Sequence, residues 1–264
     1  MRALWTAASG MKAQQLNVDT ISNNLANVNT VGYKKQRVEF KDLFYETLNN
    51  SNLNNGQGRP VNLEIGHGVM PMATLRSFGR GSFEQTYNDL DFAIDGDGFF
   101  VVRDENDNLF YTKDGTFKLS IDESGESKLV TSDGYYVQSD GGDIELGEDV
   151  QEIKVKEDGM IYVLRQGEDE SEEIGQLMLV RFANPSGLNA VGLNMYRNTV
   201  ASGEAVEAFE GDAGKVMQEF LELSNVQVVE EMVKLITAQR AYEINSKSIQ
   251  TVDQMLEQAN NLKR

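Results

Sequence analysis

Apolar residues recur every seven positions at both ends of the chain and alternate in short runs between them. Leu4, Met11, Val18 and Leu25 form one N-terminal row, and Ala7, Gln14, Ile21 and Val28 follow three residues after each. This is the a/d spacing of a helix that seeks a partner helix. Val228, Leu235, Tyr242, Ile249 and Leu256 repeat the interval at the C-terminus, with Met232 on the same stripe. The N-terminal pattern predicts a helix from about Leu4 to Val28, ended by the turn-forming run Asn27 to Gly32. Val38 to Leu48, with Phe40, Leu43, Phe44 and Leu48 at i, i+3, i+4 spacing, predicts a short second helix. At the far end, Ser224 followed by Gln227 reads as a capping box opening the long C-terminal helix.

Between the helices the period changes. Phe99–Val102, Gln151–Val155, Met160–Leu164 and Leu177–Phe182 are short apolar runs. They are separated by Asp-Gly pairs at Asp95-Gly96, Asp97-Gly98, Asp114-Gly115, Asp133-Gly134 and Asp158-Gly159. Asp-Gly between such runs predicts hairpins, because both central turn residues need positive φ. The fold class expected is α+β: N- and C-terminal helices pairing as a coiled-coil-like domain, a central antiparallel β-domain, and an extended linker. The divisions expected are 1–45 (helical), 46–69 (an extended insert), 70–202 (β-rich) and 203–264 (linker and C-terminal helix). Asn49 to Gly58 is rich in Asn and Gly, with Leu53 its one apolar residue, so that stretch buries too little surface to fold alone. Gly203 to Gly214 reads as an acidic link.

Charge and chemistry exclude more than they suggest. The formal charge is -18 over 264 residues, although residues 1–45 carry six Lys/Arg against three Asp/Glu. Such a surface repels phosphate, so nucleic acid is not an expected partner. No apolar stretch approaches the ~20 residues a bilayer requires, and the first 18 residues lack the apolar core of a secretory signal. There is no cysteine, which removes thiol catalysis and Cys-ligated metals. His67 is the single histidine, so no multi-His site can form within one chain. Asp104 to Asn108 opens like a calcium loop but has Leu109 where Gly is needed and Gly115 where Glu is needed, so it reads as a solvated turn. Gly96-Asp97-Gly98 lacks the third glycine of a dinucleotide fingerprint. No cofactor is expected.

Two long motifs carry a resemblance. The runs Ala8 to Gln15 and Asn23 to Lys34, together with Ser224-Asn225-Val226, Glu230 to Val233, Gln239 to Lys247 and Asp253 to Leu256, are similar to the terminal signatures of bacterial flagellar rod and hook proteins. Within that family the length, the insert after Leu48, Gly66 to Val69, Gly81 to Thr86, Ala93 to Phe100 and Gly187 to Gly203 resemble the distal-rod branch. The likeness thins between Asp104 and Glu173. It implies a structural subunit of the basal body that polymerises into a rigid helical tube and transmits torque from motor to hook. The tube seam would use Leu4, Met11, Val18, Ile21, Leu25, Val28, Val228, Met232, Leu235, Tyr242, Ile249 and Leu256. It further implies export through the flagellar type III apparatus without a cleaved signal, with Phe40 and Phe44 as a recognition element. The partners implied are copies of the chain itself, proximal rod proteins, the hook protein and outer bushing-ring proteins. A hook or proximal rod subunit is the neighbouring alternative. A secreted β-domain enzyme or adhesin on a helical stalk, acting on glycan, is the alternative from another class.

Overall fold

The computed structural model describes residues 2–49, 62–121, 127–147, 150–165, 171–208 and 214–262. The architecture is α+β, and contacts divide the chain into two compact units. The first takes the stretch up to Ala26, Gln36–Arg76, and everything from Gln227 onward. The second takes Asn27–Lys35 and Ser77–Val226.

The first unit holds helix α1 (Arg2–Ala26), helix α2 (Val228–Asn261) and strands β1 (Gln36–Asp42), β2 (Tyr45–Asn49), β3 (Leu63–Gly66) and β4 (Val69–Arg76). The helix expected over Val38–Leu48 is not formed. β1 pairs antiparallel with β4 along its whole length, from Gln36↔Arg76 to Asp42↔Val69, and β2 pairs with β3. The i, i+4 relation of Phe40 and Phe44 spans the break between β1 and β2, and the tertiary ladder outweighs a short stripe that never reaches the length of a stable helix. Residues 50–61, the centre of the expected extended insert, lie outside the described residues; its flanks are the β2/β3 pair. No described helix is long and apolar enough to cross a membrane.

In the second unit β5 (Phe83–Gln85) pairs with β21 (Phe220–Glu222), and β6 (Phe92–Asp95) pairs with β20 (Lys215–Gln218). The main sheet runs β17 (Asn189–Gly192), β18 (Met195–Arg197), β8 (Leu109–Thr112), β7 (Phe99–Arg103), β11 (Tyr136–Ser139), β10 (Ser127–Thr131), β9 (Phe117–Ile121). β12 (Gly142–Asp143) joins β11, while β16 (Leu179–Arg181) bridges β7 and β19 (Val206–Glu207). A separate meander is built from β13 (Val150–Val155), β14 (Met160–Arg165) and β15 (Glu172–Gln176).

β7 explains why the middle of the chain folds as it does. Its residues Phe99, Phe100, Val101 and Val102 are all buried. Side chains alternate across a strand, so Phe100 and Val102 enter one apolar cluster with Phe92, Phe117 and Leu129, whereas Phe99 and Val101 enter another with Tyr111, Phe182 and Tyr196. Each such side chain contributes ~1.5–3 kcal/mol by leaving water. Edge-to-face ring pairs, Phe99 on Phe78 at 5.3 Å and Phe100 on Phe117 at 5.2 Å, fix the packing further.

The Asp-Gly pairs divide. Asp133-Gly134 joins β10 to β11 and Asp158-Gly159 joins β13 to β14, both with positive glycine φ. The other three are not hairpin turns, because β6 and β9 find their partners elsewhere. Gly115 is needed for proximity: a Cβ there would lie 1.7 Å from the Phe92 carbonyl oxygen. The capping box is also absent. α2 starts at Val228 with Gln227 as its N-cap and no side-chain cap bond, and Ser224 Oγ instead accepts from the Val226 N–H at 3.3 Å. The stretch expected as an acidic link carries β19 and then residues 209–213, which lie outside the described residues.

Candidate assembly surface

A third heptad row, of small and polar residues, joins the two helices. Gly10, Asn17 and Asn24 are spaced by seven on α1, as are Glu231, Ala238 and Asn245 on α2. Gly10 faces Asn245, and a Cβ at position 10 would meet the Asn245 amide nitrogen at 2.9 Å. Asn24 Nδ2 donates to Glu231 Oε2 at 3.2 Å and to the Gln36 carbonyl at 2.8 Å, and its Oδ1 accepts the Gln36 N–H at 2.9 Å. Early α1 therefore meets late α2, and the pair is antiparallel. Small residues let the backbones approach, and a buried amide and carboxylate fix register at some cost in stability. Glu231 is buried, and its other oxygen lies 3.0 Å from Lys234 Nζ. Its place in the first turn of α2 also suits the helix dipole.

This choice leaves the large apolar side chains elsewhere. Of the predicted seam residues, Ile21 alone is buried; Leu4, Met11, Val18, Leu25, Val28, Leu235 and Ile249 are half-buried. Val228, Met232, Tyr242 and Leu256 are exposed. Val18 and Tyr242 are brought together as walls of an open groove of about 510 Å³. Val229, Met232, Val233 and Ile236 form an exposed apolar stripe on α2 at helical spacing. Among the described residues of this unit, the buried hydrophobics are Ala7, Ala13, Ile21 and Ala238. Phe40 lies on β1, and Phe44 between β1 and β2 is 89% exposed. Of the exposed stripe on α2, Met232 was legible from the heptad pattern, and Val229, Val233 and Ile236 were not. The polar row would have been found only by looking for small and amide side chains at the same period.

The second unit has its own polar centre, which no local sequence pattern marks. Lys34 and Glu222 are fully buried and meet at 2.7 Å. Lys34 Nζ also donates to the Gly79 carbonyl at 3.0 Å, and Glu222 Oε1 accepts the Gly81 N–H at 2.8 Å. Asn225 completes the knot by accepting the Lys35 N–H and donating to the Ser77 and Gly79 carbonyls. Lys113 Nζ lies 4.0 Å from Glu222 Oε2 and donates to the Gly96 carbonyl. Burial pushes its ammonium down to about 8, against the pull of Glu222. Glu222 Oε2 is left without a hydrogen bond, and the other groups are occupied with one another, an ionic bolt joining the stretches around Lys34, Gly79, Lys113 and Glu222.

Comparison with known proteins gives this arrangement a family context. Residues 4–34 match the family model described as flagella basal body rod protein, residues 93–163 the flagellar hook protein FlgE/F/G D1 domain, and residues 217–262 the flagellar basal body rod FlgEFG protein C-terminal region. The chain is 47% identical to the flagellar basal-body rod protein FlgG of Borreliella burgdorferi, covering 100% of this chain and 99% of that protein. It is 39% identical to FlgG of Bacillus subtilis over the full length of both. It is also 31% identical to the flagellar hook-basal body complex protein FlhP of the same bacterium, over 97% of each.

Proposed function

Because the chain belongs to the flagellar rod and hook protein family, as a structural subunit of the basal-body rod and not an enzyme, we propose that it builds the distal rod by displaying its apolar heptads to neighbouring copies. The glycan-active enzyme on a stalk is thereby set aside. In this reading the apolar rows, Leu4 to Leu25 on α1 with Val28 beyond its end, and Val228 to Leu256 on α2, close into coiled-coil-like seams only when other copies arrive. The terminal helices then form the inner layer of a tube, the β-rich unit its outer layer, and the tube carries torque from motor to hook. Its ends meet proximal rod and hook proteins, and bushing-ring proteins surround it.

The observation that supports this is the unspent apolar surface of the first unit. A fold with Ile21 as its largest buried apolar side chain has little reason to remain folded alone, and large exposed apolar patches mark interaction sites. Export through the flagellar type III apparatus, without a cleaved signal, belongs to the same reading; the display of Phe44 supports it as a recognition element together with Phe40. The test is Ile236→Asp under polymerising conditions. Polymers seen by negative-stain microscopy should vanish while the near-UV spectrum of the β-rich unit stays unchanged. Polymers of normal length would defeat the reading.

A further inference from the structure

The second unit carries an apolar projection and an apolar cavity that share no residue. The projection is the two-residue turn between β17 and β18. Leu193 and Asn194 both take positive φ, 51° and 56°, the type I′ geometry that Asn-Gly serves without strain. Asn194 is pinned there: its Nδ2 donates to the Val31 carbonyl at 2.9 Å, and its own carbonyl accepts from Thr112 Oγ1 at 3.0 Å. Leucine at the first position is a backbone penalty with no internal return, because its side chain is 61% exposed. Asp114 and Asp133 stand with Leu193 around a shallow hollow, so the projection has an acidic collar.

The cavity measures about 440 Å³ and is walled by Phe78, Phe99 and Phe182. Lys113 and Arg181 line it with the single carboxylate of Asp97, so its balance is basic. A projection on one part of a molecule that fits a pocket on another makes a head-to-tail contact. Repeated without closure, such a contact gives an open helical filament. The acidic collar and the basic cavity are complementary in charge between one copy and the next, and in a polymer of this chain the next copy is the occupant at hand.

We propose that the Leu193 turn of one copy seats in the Phe78, Phe99 and Phe182 cavity of its neighbour, a lateral contact of the β-rich units that adds to the helical seams. The proposal rests on the polymer reading above, and it names a contact that reading does not require. Leucine at φ 51° is kept because the neighbour, and not the chain's own core, buries it.

The chain's lack of cysteine makes the test direct. The double variant Leu193→Cys/Ala183→Cys, polymerised under reducing conditions and then oxidised, should give a ladder of dimers, trimers and higher species on a denaturing non-reducing gel, because the seated turn brings the two thiols within bridging reach. Each single variant should remain monomeric. Leu193→Gly, which suits the backbone, should raise the critical concentration for polymerisation at least tenfold, with the melting temperature of the β-rich unit unchanged or higher. Polymers without a ladder, or a Leu193→Gly critical concentration equal to that of the unaltered chain, would overturn the contact while leaving the polymer reading intact. Failure of the unaltered chain to polymerise at all would instead bring down the polymer reading.

Discussion

The two units spend their apolar residues in opposite ways. The β-rich unit buries Phe92, Phe99, Phe100, Phe117 and Phe182 within itself, while the helical unit leaves Trp5, Phe44, Met232, Val233 and Ile236 in water and joins its helices through Gly10, Asn24, Glu231 and Asn245. One unit is complete in itself; on the reading proposed above, the other is half of an interface. Small and polar residues hold α1 against α2 in one register without consuming the large side chains, which therefore remain available to other copies. For a subunit that assembles with copies of itself, that division is physically coherent. On the proposed reading the energy of ordering the helices comes from neighbours, whereas the β-rich unit needs none.

The largest expected effect lies in the unit that is already complete. Lys34→Ala strands Glu222 in the interior, and breaking a buried pair in this way costs about 3–5 kcal/mol. The thermal transition of the β-rich unit should fall by roughly 10 °C, read by near-UV circular dichroism. A fall of only a degree or two would mean the bolt is ornamental. Lys34→Met paired with Glu222→Leu should recover part of the loss, since the pair is removed together and Lys113, which then loses its carboxylate, is already pushed by burial toward the neutral form.

A smaller effect is expected from the polar seam. Asn24→Ala leaves the Gln36 backbone pair and one oxygen of Glu231 without their partner, and lost buried bonds of this kind cost ~1–3 kcal/mol. In the polymer, where the helices are ordered, the helical signal at 222 nm should melt earlier and the transition of the β-rich unit should not move. Movement of both together would erase the contrast between the units. Gly10→Leu probes the same seam from the side of space, because Asn245 already occupies the room a Cβ needs. It should separate the helices and shift polymer geometry.

The mildest expectation concerns pH. Lys113 is faced by Glu222, Lys34, Asp97 and Arg80, and its pKa falls to about 8 because burial disfavours the ammonium. Between that value and the ordinary lysine range the unfolded chain holds the proton and the folded chain does not. Stability of the β-rich unit should therefore rise with pH across that window, with a slope of at most ~1.4 kcal/mol per pH unit. Below pH 8 both states are protonated and the contribution is flat. Comparing pH 7.5 with 9.5 in the unaltered chain and in Lys113→Met isolates it; equal slopes in the two proteins would remove Lys113 as the cause.

Much of this contrast was legible in the sequence, but unevenly. The heptad rows located both helices, and the run Phe99–Val102 marked a strand, whose burial on both faces is added by the structure. The same periodic reading misplaced Val38–Leu48, because β1 is held by β4 across a long loop that no local pattern encodes. It assigned the apolar rows to the tube seam and named no residues for the contact between α1 and α2, since apolar side chains carry the signal and Gly10, Asn24 and Asn245 carry none. Asp-Gly marked true hairpins only where both flanking strands pair with each other; at Gly115 the reason for glycine is the Phe92 carbonyl, a tertiary fact. The pairing of Lys34 with Glu222 joins residues far apart in the chain and leaves no trace in composition or spacing.

The central claim, that the helical unit is completed by its neighbours and the β-rich unit is not, is tested most directly by amide hydrogen exchange on monomer and polymer in parallel. The account predicts that amides of α1 from Ala13 to Leu25 and of α2 from Leu235 to Ile249 exchange rapidly in the monomer and become protected by orders of magnitude in the polymer. Amides of β7, Phe99 to Arg103, should be equally protected in both. Slow exchange of both helices in the monomer, matching that of β7, would contradict it.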